Sequence, residues 1–178
     1  MPVRAQATPS GTMTPTNPTD AFVARLERFA AAVAAGDTER FAALFATDAC
    51  YDDGFFGVHR GRAAIAAMLE RFHAGGEAFA WQFIEPLADE RIGYARYLFS
   101  YRSKQPESPG RLIVFEGMSR FAFGSDGLIA DYAEVFDRGV AFVRLGYAEP
   151  RVAKLLARYA QPNERVRDHL TWRERTGG

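Results

Sequence analysis

The chain has 178 residues, of which 48% are hydrophobic, 13% aromatic and 25% charged, and its 22 basic and 22 acidic side chains leave a formal net charge of zero. Length and composition favour one globular domain and exclude a wholly disordered chain. Charge balance argues against nucleic acid or an anionic membrane as the main partner, because both need a positive surplus.

Taken in chain order, residues 2–18 hold Pro2, Pro9, Pro15 and Pro18 among small polar residues. Such a segment buries too little apolar surface to offset its ordering entropy, so residues 1–19 are expected to form a disordered tail. It lacks the continuous apolar core of a secretory signal, and no stretch reaches the roughly 18 apolar residues of a membrane span. Cytoplasm is the expected compartment. Thr19 or Asp20 opens a first helix whose Phe22, Leu26, Phe29 and Val33 share one face, and Gly36 closes it. Asp37 caps a second helix carrying Phe41, Leu44 and Phe45, after which Ala49 to Asp53 reads as a strand or extended loop. Gly54 to Gly57 forms a turn, and Gly61 opens a third helix striped by Ile65, Met68, Leu69 and Phe72.

Beyond Gly75-Gly76 the hydrophobic period changes from about 3.6 to about 2. Strands are expected over Glu77–Pro86, Ile92–Lys104, Arg111–Phe123 and Leu128–Asp137, with Ser125-Asp126-Gly127 as a hairpin turn. Glu149-Pro150 starts a further helix, and residues 163–178 read as a frayed helix or a partner-dependent tail. Helices followed by a meander make an α+β order, with the main domain over residues 20–148 and a C-terminal helix and charged tail over 149–178.

Four pieces then carry a likeness: Ala35-Gly36-Asp37, Leu44 to Ala49, Gly61 to Ile65, and Gly127-Leu128-Ile129 running into Tyr132 to Asp137. In this order and spacing, from Phe22 to about Tyr147, the chain resembles the nuclear-transport-factor-2-like superfamily, and particularly its SnoaL-like polyketide cyclase and ketosteroid isomerase-like branch. The resemblance implies a cone-shaped, strongly bent antiparallel sheet packed on three N-terminal helices, a cystatin-like roll with an internal pocket. It also implies a homodimer through the sheet face. The superfamily includes ketosteroid isomerase, limonene-epoxide hydrolase, scytalone dehydratase and polyketide cyclases, beside non-enzymatic binding modules, so the site has to be argued residue by residue.

Glu134 is the sharpest candidate. Period two puts it on one face with Tyr132 and Phe136, among aromatic rings where ionisation is costly. By resemblance it aligns with the catalytic aspartate of the cyclases and of limonene-epoxide hydrolase. The competing reading is an ion pair with Arg96 or Arg120. Asp53 falls, by resemblance, where ketosteroid isomerase keeps its proton-abstracting acid, while the bland reading of Asp52-Asp53 is an Asx turn. The isomerase's tyrosine position is Phe29 here, and its second acid falls at Gly117 or Ser119, so steroid isomerisation by that constellation is not expected. The hydrolase's Arg and second Asp match Arg96 and Leu98, which removes an acid from that triad. His59, in a loop, is either a proton shuttle or solvent-exposed. Glu116 faces either the cavity or the outside, because both faces of its strand are apolar, and that double-sided pattern supports a covered second face. Trp81, with Phe83, Tyr97, Phe99 and Tyr101, reads as core or interface before dedicated ligand contact.

Cys50 is the only cysteine and no two histidines have metal-ligand spacing, so neither disulfide nor metal is expected. Dinucleotide, P-loop and nucleophile-elbow motifs are absent, and no cofactor is expected. Two functions follow. One is a cofactor-free isomerase, cyclase or hydrolase using Glu134, Asp53 and His59 on a small apolar carbonyl or polyketide-like ligand, with Tyr132, Phe136, Arg96, Trp81, Glu116 and Phe29 around it. The other is a non-catalytic binding or dimerisation module of the same fold.

Overall fold

The computed structural model describes residues 17–177, so most of the expected N-terminal tail, residues 1–16, lies outside the described residues. Pro18 fits the first helical position because its missing N–H has no intrahelical partner there, and helix α1 runs Pro18–Ala35 with the Asn17 side chain capping Thr19 N at 3.0 Å. Capping therefore falls two or three residues earlier than the Thr19 or Asp20 that the sequence suggested. At the other end Gly36 takes the left-handed conformation, φ 67°, and ends the helix. Helix α2 (Thr38–Ala43) starts on the expected Asp37 cap.

Strands β1 (Phe45–Asp53) and β2 (Gly57–Arg60) form a hairpin around the Gly54–Phe56 turn. Helix α3 (Arg62–Gly75) follows, then the long strands β3 (Gly76–Ala88), β4 (Ile92–Ser103), β5 (Leu112–Phe123) and β6 (Ile129–Phe136). The six strands form one sheet in the order β2-β1-β6-β5-β4-β3. Pairing is antiparallel throughout except between β1 and β6, which lie parallel because the chain crosses from one to the other through the whole meander. Two irregularities bend β3: the register slips between Glu77 and Ala80 and again between Ile84 and Leu87, at Ala78 and Glu85, each with φ 52°. Bulges of this kind re-aim a strand and deepen its twist, which lets the sheet curl around α1.

Alternation along the strands separates two environments. On β4, Ala95, Tyr97 and Phe99 are buried while Tyr94, Arg96 and Leu98 point to the other side. On the inner side Phe29 stands at the middle of the aromatic core, within 4.9–5.7 Å, centroid to centroid, of Phe41, Trp81, Phe121 and Tyr132. Three helices complete the chain: α4 (Arg138–Arg144), α5 (Glu149–Tyr159) and α6 (Glu164–Thr176). The α4 helix and β2 were not expected from the sequence, since each spans only one or two turns or a few residues and carries little periodic signal. No described helix is long and apolar enough to cross a membrane.

The central position of Phe29 makes it the costliest single truncation in the core. Phe29→Ala should lower unfolding free energy by roughly 3–5 kcal/mol, measured by urea denaturation, because the bent sheet cannot collapse into the space left.

Candidate active site

Inner-facing residues of β3, β4, β5 and β6, together with α3, the β1–β2 turn and helices α4 and α5, enclose a cavity of about 310 Å³. Its wall is mainly aromatic: Phe55, Phe72, Phe79, Trp81, Tyr97 and Phe115 are representative. Glu134 enters this wall from β6. Tyr132, Glu134 and Phe136 share the inner face of the strand, as their period requires, and Phe136 stacks on Phe115 at 4.7 Å.

The Glu134 carboxylate has three donors. Tyr97 Oη and Tyr132 Oη reach Oε2 at 3.0 and 3.1 Å, and the Gly54 amide reaches Oε1 at 3.2 Å. No cation is paired with it among the described residues. Arg120 is engaged by Asp131 at 2.6 Å, and Arg96 by Glu85 and Glu116 at 3.1 and 3.9 Å on the outer face. Glycines make this geometry possible. A Cβ on Gly117 would come within 2.5 Å of Tyr97 Oη and of the Val135 carbonyl, so the missing side chain is what lets the phenol approach. A Cβ on Gly54 would strike the Phe136 ring at 2.0 Å.

Asp53 ends β1 with only 3% of its surface exposed, and it also lines the cavity. Its Oδ1 accepts the amides of Phe55 at 2.7 Å and Phe56 at 2.6 Å, which is the Asx turn anticipated for this pair of aspartates. Its Oδ2 has no hydrogen-bond partner among the described residues.

Both acids are shifted in the same direction. Burial, then the Asp53 charge, raises the Glu134 carboxyl to about 8 against the pull of its three donors. Burial raises Asp53 to about 6, while the two turn amides and Arg138 oppose the rise. Around neutrality the pair therefore shares a proton, because burial and the repulsion of two neighbouring carboxylates disfavour ionising both. Protonated Glu134 needs an acceptor, and Tyr132 supplies one: its hydroxyl lies 2.9 Å from Ser119 Oγ and can turn its own proton there. The phenols stay neutral, since burial and the Glu134 charge push Tyr97 and Tyr132 up.

The other sequence candidates lie elsewhere. His59 is not in a loop but on β2, 9% exposed, opposite Tyr51 in register, with Arg71 Nη2 at 3.4 Å from its Nδ1; it does not line the cavity. Burial and Arg71 lower its pKa, which keeps it neutral. Arg96 and Glu116 face away from the cavity, Glu116 with 71% of its side chain exposed, because strand parity puts them beside Leu98 and Met118. Phe29 is core, behind Trp81, and Trp81 does line the cavity with an unpartnered indole N–H. Tyr97, read from sequence only as core or interface, turns out to touch Glu134; the signal was available, as its parity opposite Arg96 and Leu98 points it inward. Helices α4 and α5 also escaped attention as cavity wall, though Phe142, Leu155 and Tyr159 line it. The expected boundary at 148/149 thus passes through that wall, between Tyr147 and Arg151.

Residues 26–132, more than half of the chain, match the SnoaL-like domain family. No curated protein matches the sequence. Among solved structures, a protein with a ketosteroid isomerase-like fold from Catenulispora acidiphila DSM 44928, in complex with trimethylamine, superposes with TM-score 0.63 at 15% identity, covering 70% of this chain and 93% of that one. A polyketide cyclase candidate from Xanthomonas campestris pv. campestris gives 0.60 at 19% identity over 71% and 98% of the two chains. An LEH-like epoxide hydrolase of M. tuberculosis gives 0.60 at 21% over 73% and 88%. The fold is nuclear-transport-factor-2-like, with a curved, open, six-stranded sheet.

Raised carboxyls have a definite stability signature. The folded chain holds protons that the unfolded chain, with carboxyls near 4, has released, so their contribution is full below about pH 4 and is lost as pH rises through 6 and 8. Glu134→Gln removes that acid's part of the loss. Its urea midpoint should therefore gain on the wild type from about pH 4 up to about pH 8 and hold that gain above it, and parallel curves would show that the acid is not desolvated.

Proposed function

The chain belongs to the SnoaL-like domain family, and from that premise we propose that it is a cofactor-free enzyme moving protons on a small, largely apolar carbonyl compound or polyketide-like molecule. One observation carries this reading: two buried carboxyls of unequal proton affinity share one aromatic cavity, Glu134 held by two phenols and Asp53 with a free Oδ2. Around neutrality Asp53 Oδ2 is the base and protonated Glu134 the acid. A substrate carbon–hydrogen bond next to a carbonyl breaks, its proton passes to Asp53, and the electron pair moves onto the carbonyl oxygen. That oxygen accepts a hydrogen bond from Glu134, with Tyr97 as a second donor once its proton is no longer claimed by the carboxylate. Returning the proton to another carbon is an isomerisation; attack of the enolate on a second carbonyl of the same molecule is a cyclisation.

His59 and Arg96 have no part in this reading, since neither borders the cavity. A homodimer through the sheet belongs to it: Tyr94, Leu98, Met118 and Val135 leave apolar surface open on the outer face, where Arg96, Met118 and Val135 stand in register on adjacent strands. Sedimentation should give twice the chain mass, and Val135→Arg should return a monomer.

A second reading, the binding module, has its own support. Asp53 Oδ1 is already saturated by turn amides, as a purely structural Asx turn requires, and the Catenulispora neighbour holds a small amine. The two readings part on exchange chemistry. With 2-tetralone in deuterated buffer, the enzyme should exchange α-hydrogens faster than buffer, followed by proton NMR. Asp53→Asn and Glu134→Gln should each reduce that rate by roughly 100- to 10,000-fold, with the turn preserved because Asn still accepts through Oδ1. A chain that is thermally stabilised by 2-tetralone or trimethylamine yet exchanges nothing is a binding module.

A further inference from the structure

The four-residue turn Asp53–Phe56 hands its amides to the acids: Gly54 N to Glu134, Phe55 N and Phe56 N to Asp53. Its carbonyls are held from the other side. Arg138, the first residue of α4, donates from Nε to the Gly54 carbonyl, and Tyr159, the last residue of α5, donates its hydroxyl to the Phe55 carbonyl at 2.9 Å. The two holders brace one another. The Arg138 guanidinium lies over the Tyr159 ring at 4.5 Å and over the Phe136 ring at 6.0 Å, and the Tyr159 ring stacks on Phe142 at 6.1 Å. A peptide unit gripped at both its N–H and its C=O loses rotational freedom, so the direction of each amide is set by the far partner of its neighbouring carbonyl.

We infer that Arg138 and Tyr159 are positioning residues which fix the Asp53–Phe56 turn and so decide how the proton is divided between Asp53 and Glu134. The inference rests on the reading of those two residues as the working acid pair. Both holders lie beyond residues 26–132, the span that matches the family, so helices α4 and α5 complete the site rather than merely cover it. The charge of Arg138 acts in the same sense as its hydrogen bond, because a cation beside the turn favours ionised Asp53. Other charged groups near the turn are Asp52, whose charge disfavours ionised Asp53 and which is itself paired with Arg165 of α6 at 3.0 Å, and Arg71 of α3, which lies over the Phe56 ring at 5.8 Å and lines the same cavity.

The test follows the carboxyl carbons of Asp53 and Glu134 by ¹³C NMR across pH in the full chain, in the wild type, Tyr159→Phe, Arg138→Met and Glu107→Gln. Tyr159→Phe keeps the ring and its stacking, so the fold is retained while only the hydroxyl bond is lost. Glu107→Gln is the control: it releases α5 at Arg151, away from the turn, and loosens the lid without touching a turn carbonyl. The Asp53 midpoint should rise by about one unit in Tyr159→Phe and in Arg138→Met, and stay in place in Glu107→Gln. An upward shift in either variant sustains the inference for that residue. Unmoved midpoints in both, or an equal shift in Glu107→Gln, would overturn it and leave α4 and α5 as cover alone. No substrate enters this measurement, so it stands apart from the exchange assay: shifted midpoints without exchange of 2-tetralone would sink the catalytic reading and keep the positioning one.

Discussion

The structure depends on one carboxyl group placed where water cannot solvate it fully. Glu134 projects from β6 into a largely aromatic enclosure with no cation paired to it among the described residues, and what holds it is two phenols and a backbone amide. Each donor favours the anion; burial and the neighbouring aspartate favour the acid, and these win, because desolvating a charge costs more than neutral donors return. The surrounding glycines and tyrosines make sense against that balance. Gly117 opens the gap through which Tyr97 reaches the carboxylate, Gly54 lets the turn lie on Phe136, and Ser119 gives Tyr132 somewhere to send its own proton. A network in which the Tyr132 hydroxyl can turn from Glu134 to Ser119 accommodates either protonation state of the acid.

Arginine at a paired position would have neutralised this site. The sheet keeps its ion pairs on the opposite face instead, where Arg96 meets Glu85 and Glu116 and Arg120 meets Asp131. Such exposed pairs contribute about 0–1 kcal/mol each, so they add little to stability, and their usefulness lies in sparing the inner face of cations. Parity does the sorting. A one-residue slip in β4 or β5 would bring Arg96 or Arg120 inward and pair Glu134 off as a permanent anion.

Legibility followed the same parity. The α+β order, the helix stripes and the placement of Tyr132, Glu134 and Phe136 on one face could be read because long amphipathic elements repeat their period several times. Glu116 could not be assigned a side, since β5 is apolar on both faces and the periodic signal cancels, whereas Arg96 was placed at the ligand by resemblance and its parity on β4 sends it outward. His59 looked like a loop residue because four residues of strand, Gly57–Arg60, between glycines carry no period to read. Tyr97 was visible by parity but hidden in effect: the reason it meets Glu134 is the absence of a side chain at Gly117, a neighbour only after β4 and β5 pair. Most of the C-terminal wall was illegible for a related reason. Helix α4 is seven residues long, and the contacts of Arg138 and Tyr159 with the turn span 84 and 104 residues of sequence.

Those long-range contacts also show how residues outside the sheet can act on the site without a change of fold. The strands that make the cavity are common to the whole architecture, and their packing tolerates only volume-conserving exchanges. The carbonyl side of the Asp53–Phe56 turn is not part of that packing. It is reached by whatever follows β6, so residues after Phe136 can set the conformation of the turn while leaving every strand pairing intact. A buried acid is destabilising compared with an apolar residue of the same size, and its retention needs an advantage that stability does not supply. On the proposed reading the advantage is a proton held near neutrality in an apolar chamber, with its affinity adjustable from residues outside the sheet.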